Sequence, residues 1–123
     1  MNKLIYTLFF IYFSLFTLKG QNIVINEYSA ANYNTYQDNY GEYEDWVELY
    51  NTSAVAIDID GWTITDKPSN PTKWTIPSSF IIPANGVAII YCSGRDELIG
   101  GNAHTNFKIT QTKQKDCFSP RSI

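Results

Sequence analysis

With 123 residues, 44% hydrophobic and 17% charged, the chain holds one domain at most. Its net charge is −3, and the sign is unevenly spread. Residues 21–66 carry nine acids (Glu27, Asp38, Glu42, Glu44, Asp45, Glu48, Asp58, Asp60, Asp66) and no Lys or Arg, whereas seven bases and three acids follow from Lys67 onward. Nucleic-acid affinity is built from Lys and Arg neutralising phosphates, so the first half argues against that partner. The bases of the second half are too scattered to form a stripe. One histidine and two cysteines, with no CxxC or Cys/His spacing, argue against a structural zinc site.

Met1-Asn2-Lys3 is a short positive region, and residues 4–18 are almost wholly apolar, interrupted only by Tyr, Thr and Ser. Lys19-Gly20-Gln21 follows, with the small Gly20 at a cleavage point. This is the pattern of a secretory signal peptide over residues 1–20. An uncleaved membrane anchor is the rival reading, because Leu18 stands where a small residue is preferred. The apolar run of 15 residues is short, however, for the roughly 20 that span a bilayer. Cleavage leaves residues 21–123, which are 103 residues of net charge −5 once Lys3 and Lys19 are gone. That chain has no membrane span and is expected to be secreted or held at the cell surface. In an oxidising space Cys92 and Cys117 can bridge, if a closing last strand brings them together.

Residues 22–28 read as the first strand, apolar and then abruptly polar. Residues 29–44 have no apolar periodicity and form a long loop. Asp45-Trp46-Val47-Glu48-Leu49-Tyr50-Asn51 alternates, with Val47 and Leu49 on one face and Trp46, Glu48 and Tyr50 on the other, so it is a half-buried strand. Asn51-Thr52-Ser53 supplies the turn that stops it. Residues 56–60 and 62–66 are further strands, and Lys67-Pro68-Ser69-Asn70-Pro71 is a turn, since two prolines cannot continue a ladder. Short strands follow at 73–76 and 80–82. Residues 87–92 are apolar on both faces and are expected to lie centrally, covered on both sides. Residues 95–105 read as a polar, glycine-containing loop and 107–109 as a further short strand. The period-two spacing places Ile23, Ile25, Val47, Leu49, Ile59, Trp62, Ile64, Ile76, Ile89 and Phe107 in the core of an all-β sandwich or barrel without helical segments.

Six stretches in register resemble the lamin tail domain in its bacterial secreted form. They are Ile25-Asn26-Glu27, residues 45–51, Gly61-Trp62-Thr63-Ile64-Thr65-Asp66, Lys73-Trp74-Thr75-Ile76-Pro77, Ile82-Pro83-Ala84-Asn85-Gly86 and His104-Thr105-Asn106-Phe107-Lys108-Ile109. The resemblance covers residues 23 to 109. It implies an immunoglobulin-like antiparallel β-sandwich over residues 21–123. It also implies a non-catalytic module, which in nuclear lamins is an interaction surface for proteins and DNA and in bacteria has a proposed attachment role beside secreted hydrolases or surface proteins. The chain departs from the family pattern at its end. Residues 110–118 begin the family's last strand and Ser119-Pro120-Arg121-Ser122-Ile123 cuts it off, as a truncated or frame-shifted reading frame would. An incomplete last strand and an open sheet edge are therefore expected.

The loop from Tyr33 to Asp45 is the candidate site. Loops above about 12 residues are usually functional or disordered, and disordered segments are poor in aromatics. Here Tyr33, Tyr36, Tyr40 and Tyr43 stand close together, with Trp46 just beyond and expected on the exposed side, since Val47 and Leu49 claim the core face. Tyrosine supplies large, rigid contact area at low entropic cost. Asp38, Glu42, Glu44 and Asp45 favour a basic or polyhydroxylated partner, or one bridged by a cation, which points to a protein or a cell-surface glycan. The bland alternative is that the tyrosines lie over the end of the sandwich and cover its core.

Sharper chemistry is less well supported by the sequence. Residues 38–45 have the oxygen density of a calcium loop without the EF-hand spacing. Glu27, Asp45, Glu48 and Asp66 read as groups that cap strand ends and bond loop amides, and no cofactor is expected. Trp62 reads as core rather than as a sugar platform. His104 could be grouped with Ser93 and an acid, but no strained Gly-x-Ser-x-Gly turn exists, and His104 is expected in a loop bonding backbone. Asn51-Thr52-Ser53 fits the glycosylation sequon while coinciding with a turn. The expected function is a non-enzymatic binding or attachment module, secreted or at the cell surface. The alternative is a small secreted hydrolase, with or without a metal.

Overall fold

The alternation around residue 48 organises the molecule. In the computed structural model, which describes residues 21–109, these residues form β2 (Trp46–Asn51), the second strand of a five-stranded sheet. The sheet order is β1 (Ile23–Ser29), β2, β7 (Val87–Tyr91), β9 (Asn102–His104) and β8 (Glu97–Ile99). Four short strands build the opposing layer. β3 (Ile57–Asp58) pairs with β6 (Ile81–Ile82), and β4 (Thr63–Ile64) pairs with β5 (Trp74–Thr75). Backbone bonds from Ile59 to Phe80 (3.1 Å), Gly61 to Ile76 (3.0 Å) and Ile76 to Trp62 (2.9 Å) join the two pairs into one bent hairpin. The bend is the turn at Asp60-Gly61, where φ is +77° at Gly61, a conformation glycine adopts without steric cost. The described residues are thus all-β, in an immunoglobulin-like sandwich.

Register decides what lies between the layers. Val47 pairs with Ile90 and Leu49 with Ala88, while Ile90 also pairs with Ala103, so these side chains share the inner face. Ile59, Ile64, Trp74, Ile76, Phe80 and Ile82 of the hairpin layer meet them, and Ile23, Cys92, Phe107 and Ile109 complete the core. Burying each large aliphatic side chain contributes about 1.5–3 kcal/mol, which is what holds two such short-stranded layers together. Of the expected core, Ile25, Trp62 and Ile89 are only half-buried. Ile89 pairs with Glu48 and therefore faces outward. Trp74, Phe80, Ile82 and Ile90 are core residues that the spacing did not single out.

Four expectations are corrected. Residues 95–105 are not a loop, for they contain the β8–β9 hairpin, turned by Gly100 and Gly101 at φ +56° and +78°. Residues 107–109 are not a strand. The sheet is not purely antiparallel, because β9 runs parallel to β7 at Ile90↔Ala103 and Tyr91↔His104. β7 is central in its sheet as expected, yet its outer face is only partly covered, with Val87 exposed and Ile89 half-buried. The signal peptide, the final strand and Cys117 lie outside the described residues. Cys92 is buried at the end of β7, and burial pushes its thiol up to about 12.

Candidate functional site

Residues 30–45 connect β1 to β2 and lie on the outer face of the sheet rather than over the end of the sandwich. The face beneath is one continuous cross-strand row: Ser29 pairs with Trp46, Trp46 with Tyr91, Tyr91 with His104, and His104 with Glu97. The loop meets that row along its length. The Tyr36 ring sets its edge against Trp46 with centroids 5.0 Å apart. The Tyr91 hydroxyl donates to the Gln37 carbonyl at 2.8 Å. Asn39 Oδ1 stands 2.7 Å from His104 Nε2, and the Tyr40 hydroxyl donates to Glu97 Oε1 at 2.6 Å. The Arg95 guanidinium lies 4.1 Å from the Tyr40 ring centroid.

Two short polar residues hold the loop to this path. Asn32, buried, donates its amide to the Tyr36 carbonyl (2.7 Å) and the Glu44 carbonyl (3.1 Å), and its Oδ1 accepts the Thr35 N–H at 2.9 Å. It therefore ties the loop's two ends together. Asp38, also buried, accepts the N–H groups of Tyr40 and Glu42 on one oxygen, both at 2.9 Å, which closes the turn at residues 38–42. Gly41 occupies that turn at φ +79°. Lys108 pins the far end through Glu44 at 3.3 Å.

The predicted site residues separate into three groups. Tyr33 is 78% exposed and Tyr43 46% exposed, and both present their rings to solvent. Tyr36 and Tyr40 are also exposed on one side, but they are engaged beneath by Trp46, Glu97, Arg95 and His104. Trp46 is not exposed at all, at 2%. Alternation placed it correctly on the face away from Val47 and Leu49, but the loop folds over that face and buries it. It backs the surface instead of forming it.

The sharper chemical groupings can now be judged. His104 is a strand residue and fully buried, and it bonds side chains instead of backbone. With Asn39 Oδ1 accepting, Nε2 carries the proton, so Nδ1 accepts the Ser93 hydroxyl at 2.9 Å. Burial holds the imidazole below its ordinary value. Ser93, His104 and Asn39 are thus aligned, but Ser93 and His104 are both buried, and Asn39 brings no charge to balance an imidazolium. Of the four carboxylates, only Glu27 and Glu48 are neighbours, as cross-strand partners on β1 and β2. Asp66 pairs with Lys73 at 2.6 Å, Glu48 accepts from Asn26 at 2.7 Å, Asp45 takes the Asn32 N–H, and Glu27 is exposed on β1. Burial, ahead of its other influences, raises the Asp45 carboxyl. Among the described residues no three His, Cys, Asp or Glu side chains come together as a metal site. The sequon asparagine, Asn51, is buried, and its amide is spent on the carbonyls of Val55 (2.7 Å), Ile82 (3.1 Å) and Pro83 (3.1 Å).

Sequence reasoning missed Asn32, Asn39 and the β8–β9 hairpin that carries Glu97 and His104. The hairpin had a readable signal in Gly100-Gly101 between two short runs. Comparison with known proteins adds one match. The model of a protein family, the Lamin Tail Domain, matches residues 18–118. No curated protein and no solved structure matches the chain.

Proposed function

Because the chain belongs to the lamin tail domain family, a generally non-catalytic and binding-related β-sandwich module, we propose that it is a binding or attachment module, secreted or displayed at the cell surface. Its contact surface is the loop of residues 30–45, and the partner is a protein or a cell-surface glycan. The observation that carries this reading is the pairing of exposed rings with a braced backbone. Tyr33 and Tyr43 face solvent while Asn32, Asp38 and the row beneath fix the chain that bears them. Contact residues held in place before binding lose less freedom on binding, which is where affinity is otherwise lost. Glu42, exposed on the loop, adds an acidic character that favours basic or hydroxyl-rich partners.

A catalytic role has little to work with. The alignment of Ser93 and His104 is sealed from substrate, and it lacks a charged third member. The test is retention of the protein on immobilised cell-surface polysaccharides and surface proteins, compared between the native chain and a Tyr33→Ser/Tyr43→Ser variant. Lost retention with an unchanged melting temperature supports the platform. Equal retention, or turnover of an ester, glycoside or phosphodiester by the purified protein, overturns the reading.

A further inference from the structure

His104 stands where the loop is fastened to the sheet, and neutral groups do the fastening. The ring is fully buried on β9, stacked on Tyr91 with centroids 5.3 Å apart and met edge-on by Tyr40 at 5.9 Å. Asn39 and Tyr40, its contacts on the outer side, both belong to the loop, so the loop keeps it from water. Nε2–H donates to Asn39 Oδ1 at 2.7 Å, and Nδ1 accepts the Ser93 hydroxyl at 2.9 Å. Ser93 Oγ also accepts the Arg95 N–H at 3.3 Å. A second proton on the ring therefore has no ready place. On Nδ1 it would fill the last lone pair of Ser93 Oγ and turn the hydroxyl proton away from its acceptor.

Among the described residues, the charges around the ring come from the loop (Asp38, Glu44) and from the β8 side (Arg95, Glu97). The three carboxylates favour a proton and Arg95 opposes it, but both ring nitrogens are bonded to neutral groups instead. Asp38 holds two amides on Oδ1, Glu97 takes the Tyr40 hydroxyl, and Glu44 faces Lys108. Tyr40, through its bond to Glu97, and Tyr91, through burial, are both held above the ordinary phenol value and stay neutral. Burial outweighs the carboxylates, and the seated ring keeps a proton less readily than a ring in water.

We infer that His104 is an acid-sensitive latch, whose protonation loosens residues 36–44 from the outer face while the sandwich stays folded. With the loop lifted, the ring meets water and titrates at its ordinary value. Seating is then firmest above about pH 6.5 and weakens below it. The sandwich does not depend on that seating, because Ala103 beside His104 packs with Ile90 on the inner face. The latch concerns how the loop is seated, whether or not the loop binds a partner, so the two proposals can fail separately.

The test follows the isotope-labelled full chain by nuclear magnetic resonance from about pH 7.5 to about pH 4.5. It reads the His104 ring nitrogens and the protection of the Trp46 indole N–H, which the loop covers, against solvent exchange. As the ring takes its proton, that protection, corrected for the intrinsic rate, should fall severalfold while the amides of β2 and β7 keep theirs. Asn39→Asp, at an exposed position, sets a carboxylate on Nε2 and favours the imidazolium, so the acid response should vanish or reverse. His104→Gln has no proton to gain and should lose the response. Four results would each overturn the latch: protection unchanged while the ring titrates, β2 and β7 loosening with the loop, a ring neutral until the sandwich unfolds, or the native response in either variant.

Discussion

Asn51 shows how much one buried amide can hold. It closes β2, receives both the Ser53 N–H and the Ser53 hydroxyl on Oδ1, and gives its NH2 group to the carbonyls of Val55, of Ile82 at the end of β6 and of Pro83 just beyond it. Asn51→Ala should cost about 2–4 kcal/mol, because those carbonyls are left without a donor inside the protein. A urea titration reads this as a lower midpoint with an unchanged slope. His104 makes a different prediction. Its folded value lies below the ordinary one, chiefly through burial, so the unfolded chain takes up the proton first. Stability is therefore complete above about pH 6.5 and falls as the pH drops through that value towards the folded one. Urea midpoints measured from about pH 8 to about pH 5 should decline in that window, and His104→Gln should flatten the decline. Ordinary behaviour at Cys92 is excluded in the same physical way. Its buried thiol, pushed up to about 12, should resist alkylation at mildly alkaline pH until the protein unfolds.

At the scale of elements, the sequence was most readable where side chains alternate and least readable where one element covers another. The faces of β2 follow from period two, so Val47 and Leu49 are core and Trp46 is not. Nothing in that period reveals that sixteen residues of loop (30–45) return over Trp46, Tyr91 and His104. That is a long-range contact, and it is why Trp46 was expected in water. The β8–β9 hairpin was missed for another reason. Glu97, Asn102 and His104 made the segment look like a polar loop, although Gly100-Gly101 is the residue pair that tight hairpins require. Gly101→Ala tests that turn cleanly. An added Cβ meets nothing within 4 Å, so its effect is the cost of φ +78° alone, about 1 kcal/mol in a thermal melt. The tyrosines should divide in the same experiment. Tyr36→Ser uncovers Trp46 and should cost about 1 kcal/mol, whereas Tyr33→Ser should leave the melting temperature where it was.

For the whole molecule, an acidic first half shapes what can approach it, and Lys73 and Lys108 are already paired with carboxylates. The sandwich is a scaffold whose inner face is filled and whose outer face carries a braced tyrosine loop at one end. Family and layer architecture were legible because they rest on local strand pattern and on motifs in register. The contact surface was legible only as a tyrosine-rich stretch, since its bracing comes from Asn32 within the loop and from Asn39, Glu97 and His104 meeting across it. The central claim is that residues 30–45 are a fixed platform before any partner arrives. Backbone relaxation of the free protein measures this directly. Order parameters for the loop are expected near the ~0.85 of rigid backbone, matching those of β2 and β7. Values below about 0.6 across the loop, with β2 and β7 rigid, would contradict it.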